Sequence, residues 1–236
     1  MTEPLVLLMG KFCDSRLFEA QISEFSRTRM VIVAPIFYGD RVTDFAQDVL
    51  AQLPPKFAIL GHDLGGFVAM EILRKAPERV LRIGVMSSNA LADTPQDAAV
   101  RENDIILIRS GRIKEVVADE AMKSLAHRVE RNFTMGHLRT MAAGFSPEQA
   151  IDQIRAFQKR PDQQGTLRKC KVPAVVICGD QDPITPVRRQ DVMAAMIPYS
   201  KLHVIENTGH YPTLESPEAT NAAIADWLAQ PYVLRS

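Results

Sequence analysis

Short apolar runs of strand length recur along the chain: Leu5–Met9, Met30–Ala34, Phe57–Leu60, Arg82–Met86, Ala174–Cys178 and Leu202–Ile205. Most lack polar alternation, which predicts parallel strands covered on both faces. Between them the apolar positions change period. Leu17, Phe18, Ile22 and Phe25 fall at helical spacing within Ser15–Phe25, and Asp44–Leu53 and Gly66–Lys75 carry similar stripes, the latter stopped by Pro77. Strands alternating with helices predict an α/β fold with about six mostly parallel strands.

That rhythm breaks after Asn89. Up to Arg168 only helix-like segments follow, over Ala98–Ser110, Lys114–Asn132 and Pro147–Arg160, punctuated by Gly111, Gly144 and Pro161. The β/α alternation then resumes through Trp227. The pattern predicts a core made of residues 1–90 and 169–236, with a helical cap over 91–168 lying on the carboxyl edge of the sheet as a lid.

Composition narrows the partners. Lys+Arg and Asp+Glu are 28 each, which argues against nucleic acid or an anionic membrane as the main partner. No apolar run approaches the ~20 residues needed to span a bilayer, and Leu5–Met9 is too short for a signal-peptide core. Cys13, Cys170 and Cys178 are odd in number and widely spaced, giving neither a disulfide framework nor a metal-ligand pattern. The expectation is a soluble cytoplasmic protein.

The chemistry centres on "AILGHDLGGFVAM", residues 58–70. It reads as a strand, a tight turn and a helix, and Gly61-x-x-x-Gly65 is the frame of a nucleophile elbow, whose apex is usually serine. Here the apex is Asp63. Three further blocks follow predicted strands: "LLMGKFCD" (7–14), "GDQDPITP" (179–186) and "NTGHYPTLESPE" (207–218). With these four in order, the chain resembles the α/β-hydrolase superfamily from Leu5 to about Leu228.

The resemblance implies a triad of Asp63, His210 as base and Asp182 as the acid that orients it. It implies an oxyanion hole from the backbone N–H groups of Leu64 and of Lys11 or Phe12. No metal or organic cofactor is implied. Asp180 is expected to be a turn residue, His62 to pack behind the elbow, His203 to be structural, and His127 and His137 to be exposed on the cap. Cys13 lies near the oxyanion loop without a partner that argues for reactivity. Met9-Gly10 stands where relatives carry His-Gly. Lys11 is expected to point to solvent, the alternative being an inward ammonium that balances Asp63.

An apex carboxylate is already ionised near neutral pH and needs no base to activate it. Attack on an ester would give a poor anhydride, whereas attack on a saturated carbon bearing a halide, or on an epoxide, gives a stable ester that His210 and water can cleave. The elbow therefore resembles those of haloalkane dehalogenases and epoxide hydrolases. The rest of their signature is incomplete. Leu64 replaces the halide-binding tryptophan, Trp227 lies on the C-terminal helix, and Phe67 and Val68 supply no arginine. Tyr38, Tyr199, Tyr211 and Tyr232 all lie outside the cap. The other blocks look more like compact carboxylic-ester or enol-lactone hydrolases. Three readings stay open: a hydrolase using Asp63 covalently, an esterase-like scaffold silenced into a ligand-binding protein, and a serine enzyme carrying a substitution at residue 63.

Overall fold

A computed structural model describes residues 2–37, 39–126 and 131–232. Six strands form one sheet: β1 (Leu5–Leu8), β2 (Val31–Ala34), β3 (Phe57–His62), β4 (Val80–Met86), β5 (Ala174–Gly179) and β6 (Ser200–Ile205). Their order is β2-β1-β3-β4-β5-β6, and every adjacent pair is parallel. The sheet is thus wholly rather than mostly parallel. Leu5 and Leu7 join one apolar cluster while Val6 and Leu8 join the other, so β1 is covered on both sides. This is why its run is unbroken by polar residues.

On one face lie α2 (Val42–Gln52), α3 (Leu64–Lys75) and α9 (Val187–Met196), packed through Phe45, Phe67 and Met193. On the other lie α1 (Glu19–Phe25) and α11 (Pro217–Ala229), with Trp227 fully buried. The short α10 (Pro212–Glu215) precedes α11. Strand order reverses direction beside β1 and β3, the switch point at whose carboxyl ends open α/β sheets place their ligand sites.

Among the described residues, five helices separate β4 from β5: α4 (Pro95–Arg109), α5 (Ile113–Ser124), α6 (Arg131–Ala142), α7 (Pro147–Gln158) and α8 (Gln164–Arg168). Helix α4 begins three residues before the predicted Ala98 because Thr94 and Asp97 form a capping box with Pro95 in the first turn. Ser146 and Gln149 start α7 in the same way. The single helix predicted over Lys114–Asn132 is instead two. Helix α5 stops at Ser124, whose carbonyl accepts the His210 N–H at 2.9 Å rather than only serving the helix. Apolar residues of α4 to α7, including Ile105, Val116, Leu138 and Ile154, share a cluster with Leu5, Leu7 and Trp227. No helix among the described residues is long and apolar enough to cross a membrane.

Candidate active site

The turn between β3 and α3 places Asp63 at φ 47°, ψ −112°, a conformation that costs a non-glycine residue energy. Surrounding contacts impose it. Asp63 N–H donates to Met86 O at 3.0 Å, and Asp63 O accepts from Gly66 N–H at 3.0 Å and Ser88 Oγ at 2.9 Å. The flanking glycines are obligatory. A Cβ on Gly61 would lie 2.0 Å from Gly65 O, and one on Gly65 would lie 2.2 Å from Leu8 O.

His210 follows β6 and Asp182 follows β5, and both reach the elbow. His210 Nδ1 lies 2.8 Å from Asp182 Oδ2, and His210 Nε2 lies 3.8 Å from Asp63 Oδ1. The first is a hydrogen bond; the second is an ion-pair distance, too long for a direct hydrogen bond. Asp182 is fixed in turn by the backbone N–H groups of Ile184 (2.9 Å) and Thr185 (3.0 Å) and by Thr185 Oγ1 (2.5 Å). Asp180 faces away and accepts from Thr208 N–H at 3.1 Å, as expected of a turn residue.

All three groups are buried, yet charge outweighs desolvation. Burial would raise Asp63, but neighbouring His210, then Lys11, holds it well below the usual carboxylate range. Burial likewise opposes ionisation of Asp182, and His210 with Thr185 brings it down to about 2. Burial would lower His210; the charge and hydrogen bond of Asp182, joined by Asp63, push it well above its ordinary value. All three shifts run in the direction that favours charge on each group.

His62 lies fully buried behind this group, and its Nε2 donates to His210 O at 2.8 Å. Burial, then the His210 charge, lowers it to about 4, so it is a neutral spacer. A third carboxylate, Glu215, holds the loop that carries His210. It accepts from Tyr211 N–H at 2.9 Å, Ala126 N–H at 2.8 Å and Gly209 N–H at 3.1 Å. Glu215 sits inside the quoted "NTGHYPTLESPE" block, but nothing in that block alone marks it as the clamp.

The loop after β1 supplies the facing wall. Lys11 N–H donates to Asp63 Oδ2 at 3.2 Å. Leu64 opens α3, where first-turn N–H groups lack intrahelical acceptors. Phe12 N–H does not face Asp63; with Phe12 at φ 57° it turns to Gln153 Oε1 at 2.8 Å. The Lys11 side chain also departs from expectation. It is 7% exposed, folds inward, and pairs with Glu120 of α5 rather than with solvent. Its ammonium lies 5.2 Å and 5.5 Å from the ring centres of Phe12 and Phe157. Lys11, Phe12, Cys13, Glu120 and Tyr211 line a cavity of about 10 Å³, room for about one water.

Tyr211 Oη donates to Glu120 at 3.4 Å, linking the His210 loop to the same acid. Burial, then the Asp63 and Glu120 charges, pushes the Cys13 thiol up, and burial, then Glu120, pushes the Tyr211 hydroxyl up, so neither group is activated. An arginine does reach the elbow helix, from the far end of α7. The Arg160 guanidinium lies 4.6 Å from the Phe67 ring centre and is held by Asp93 (2.7 Å) and Leu91 O (2.8 Å). His203 contacts Asp226 at 3.1 Å on β6, away from the site. His137 is half-buried against Phe133, while His127 and Tyr38 lie outside the described residues. Trp227 Nε1 donates to Pro173 O at 3.3 Å and takes no part.

Sequence reasoning missed Glu120, Gln153 and Arg160. One signal was available: Gln153 interrupts the buried stripe Ala150, Ile154, Phe157 of α7, and a polar residue on an apolar face needs a partner.

Comparison with known proteins bears on the family and the fold. The model of the alpha/beta hydrolase family matches residues 33–223. The pimeloyl-[acyl-carrier protein] methyl ester esterase of Neisseria meningitidis serogroup B / serotype 15 (strain H44/76) is 26% identical over 201 residues, covering 83% of this chain and 78% of that protein. A thermophilic esterase from Thermogutta terrifontis superposes with a TM-score of 0.88 at 24% identity, covering 97% of this chain and 90% of the other. The enol-lactonase of Burkholderia xenovorans LB400 gives 0.85 at 15% identity, with 98% and 92% covered.

Proposed function

The chain belongs to the α/β-hydrolase family, and on that premise we propose that it hydrolyses a small molecule through Asp63 as covalent nucleophile, with His210 as base and Asp182 as orienting acid. The observation that carries this reading is the split use of the Asp63 carboxylate. Oδ2 rests on the Lys11 N–H while Oδ1 faces His210 across 3.8 Å. One oxygen is anchored on a backbone donor, and the other, on the imidazole side, is the one assigned to attack.

Attack of Oδ1 on a saturated carbon forms an O–C bond and expels the leaving group, such as halide, with its electron pair. The esterified Asp63 is neutral, so one of the charges that keep His210 protonated is gone and its proton passes to solvent. His210 then takes a proton from water as the hydroxide adds to Asp63 Cγ. The tetrahedral oxyanion lies on the Lys11 and Leu64 N–H groups. Collapse breaks the ester, the new carboxyl proton goes to the departing alkoxide, and His210 ends protonated as it began. In sum, alkyl halide and water give alcohol, halide and a proton.

A second reading is favoured by the same contact. The Asp63 carboxylate occupies the donor an acyl oxyanion would need, as expected if the scaffold were that of a serine esterase silenced at residue 63. One experiment separates the two. His210→Gln protein is incubated with short bromoalkanes and analysed by intact mass and peptide mapping, and wild-type protein is run for one turnover in ¹⁸O water. The expected result is an alkyl adduct on Asp63 in the variant, ¹⁸O in Asp63 of the wild type, and loss of about 1000-fold or more in turnover for Asp63→Ala. No adduct and no halide release, with Asp63→Ser gaining His210-dependent hydrolysis of p-nitrophenyl butyrate, would establish the silenced esterase instead.

A further inference from the structure

The mechanism above leaves unused two buried or half-buried side chains that reach the β1 loop from the helices between β4 and β5. Glu120 on α5 pairs with the Lys11 ammonium, and Gln153 on α7 accepts from Phe12 N–H at 2.8 Å. The loop they hold is a tight turn closed by Cys13 N–H donating to Gly10 O at 3.2 Å, with Lys11 and Phe12 at its centre. Of these two, only Phe12 has positive φ, at 57°. That is the pattern of a type II turn, in which the third position is normally glycine. A phenylalanine there is strained, and rotating the Lys11–Phe12 peptide toward a type I turn would relieve it.

Gln153 blocks that rotation. The flipped peptide would present the Lys11 carbonyl to Gln153 Oε1, setting acceptor against acceptor. Turning the Gln153 amide over does not help, because its Nε2 donates to Ile36 O at 2.9 Å and the exchange would create the same clash on the other side. Glu120 meanwhile fixes the Lys11 side chain, so Lys11 is held both at its ammonium and at the peptide that follows it. The N–H that faces Asp63 Oδ2 is on the remaining backbone bond of the same Lys11 Cα, in the Gly10–Lys11 peptide.

We propose that Glu120 and Gln153 are positioning residues, through which the α4–α8 segment sets the strained β1 turn and aims the Lys11 N–H at the anion site beside residue 63. The inference rests on the reading of that N–H as the oxyanion donor. Docking of the segment and assembly of the donor are then one event. Departure of α5 and α7 from the β1 loop releases the turn.

The test is residue-resolved amide exchange on the full chain, which needs no substrate. In Gln153→Met and Glu120→Ala, exchange at Lys11 and Phe12 is expected to quicken by about tenfold or more while amides of β3 and β4 keep their rates. Glu120→Gln, whose amide oxygen still accepts from Lys11, is expected to keep most of the protection. Turnover follows: kcat drops by about 100-fold with KM little changed, as for loss of one oxyanion donor. It is measured on bromoalkanes with the wild-type background and on p-nitrophenyl butyrate with Asp63→Ser. Unchanged exchange at Lys11, or a rise spread evenly over β3 and β4, overturns the proposal, as does quickened exchange with unaltered kcat. Failure of the Asp63 reading shows separately, as absence of the alkyl adduct.

Discussion

His210 is held between two carboxylates at unequal range, and the inequality is measurable. Asp182 lies at 2.8 Å and Asp63 at 3.8 Å, and the Asp182 charge is the largest influence opposing the burial that would lower the imidazole. Titration of His210 by NMR is therefore expected to show its pKa falling in both Asp63→Asn and Asp182→Asn, and falling further in the latter. His62, lowered to about 4 in the parent, should stay neutral in each. The sign for stability follows. Asp182, lowered from 3.8 to about 2, contributes above its unfolded pKa and loses that contribution as pH falls through 2. His210, raised from 6.5, contributes fully below its unfolded pKa and loses it as pH rises through its folded value. The pair is thus fully stabilising between about pH 4 and 6.5, and Asp182→Asn should flatten the unfolding free energy on both sides of that window. An unmoved His210 in Asp63→Asn would mean that the two side chains do not interact across the gap. At this scale the meeting of Asp63, His210 and Asp182 was legible because each sits in its own local block. Lys11 was not, because the acid that draws it inward lies 109 residues away.

Elements explain why glycine is required beside the elbow but not within α6. Gly61 faces Gly65 O, Gly65 C and Gly66 N within 2.5 Å of an added Cβ, all of it backbone and none able to turn aside. Gly61→Ala is expected to cost about 3 kcal/mol or more in urea unfolding, at the upper end of overpacking penalties. Gly136, within α6, has nothing within 4 Å of its added Cβ. There the alanine should stabilise the protein by about 0.5–1 kcal/mol, the ordinary helix preference. Equal effects at the two sites would refute the close-approach account of the elbow. The six strands were readable because continuous apolar runs need no distant information. The break between α5 and α6 was not, since its cause is the His210 loop seated on the Ser124 carbonyl. A helical stripe continues on paper where a far-off backbone group ends it in the fold.

At the scale of the molecule, the open question of the sequence is how the α4–α8 segment sits on the sheet, because its helices show an apolar face but not what that face meets. Asp93, at the entrance to the segment, answers it. Its carboxylate, 1% exposed, meets Arg101 at 2.9 Å from the start of the segment and Arg160 at 2.7 Å from near its end. Both guanidiniums also lie against Phe157, at 4.5 Å and 5.5 Å, and Arg160 bridges to Phe67 on the elbow helix. One acid therefore ties the two ends of the segment to each other and to α3. Removing it strands two cations side by side, one of them almost fully buried, and breaking a buried pair in this way costs about 3–5 kcal/mol. Lys201 with Asp226, half-exposed on the opposite edge, supplies the comparison, since such pairs contribute about 1 kcal/mol or less. Asp93→Ala should thus lower stability far more than Lys201→Ala. Arg101→Leu placed on top of Asp93→Ala should recover part of the loss by removing one of the stranded charges. A recovery would show that the penalty lies in uncompensated charge at the hinge of the segment. If Asp93→Ala unfolds no more easily than Lys201→Ala, the segment is held to the core by its apolar contacts alone, and the charged hinge contributes only orientation.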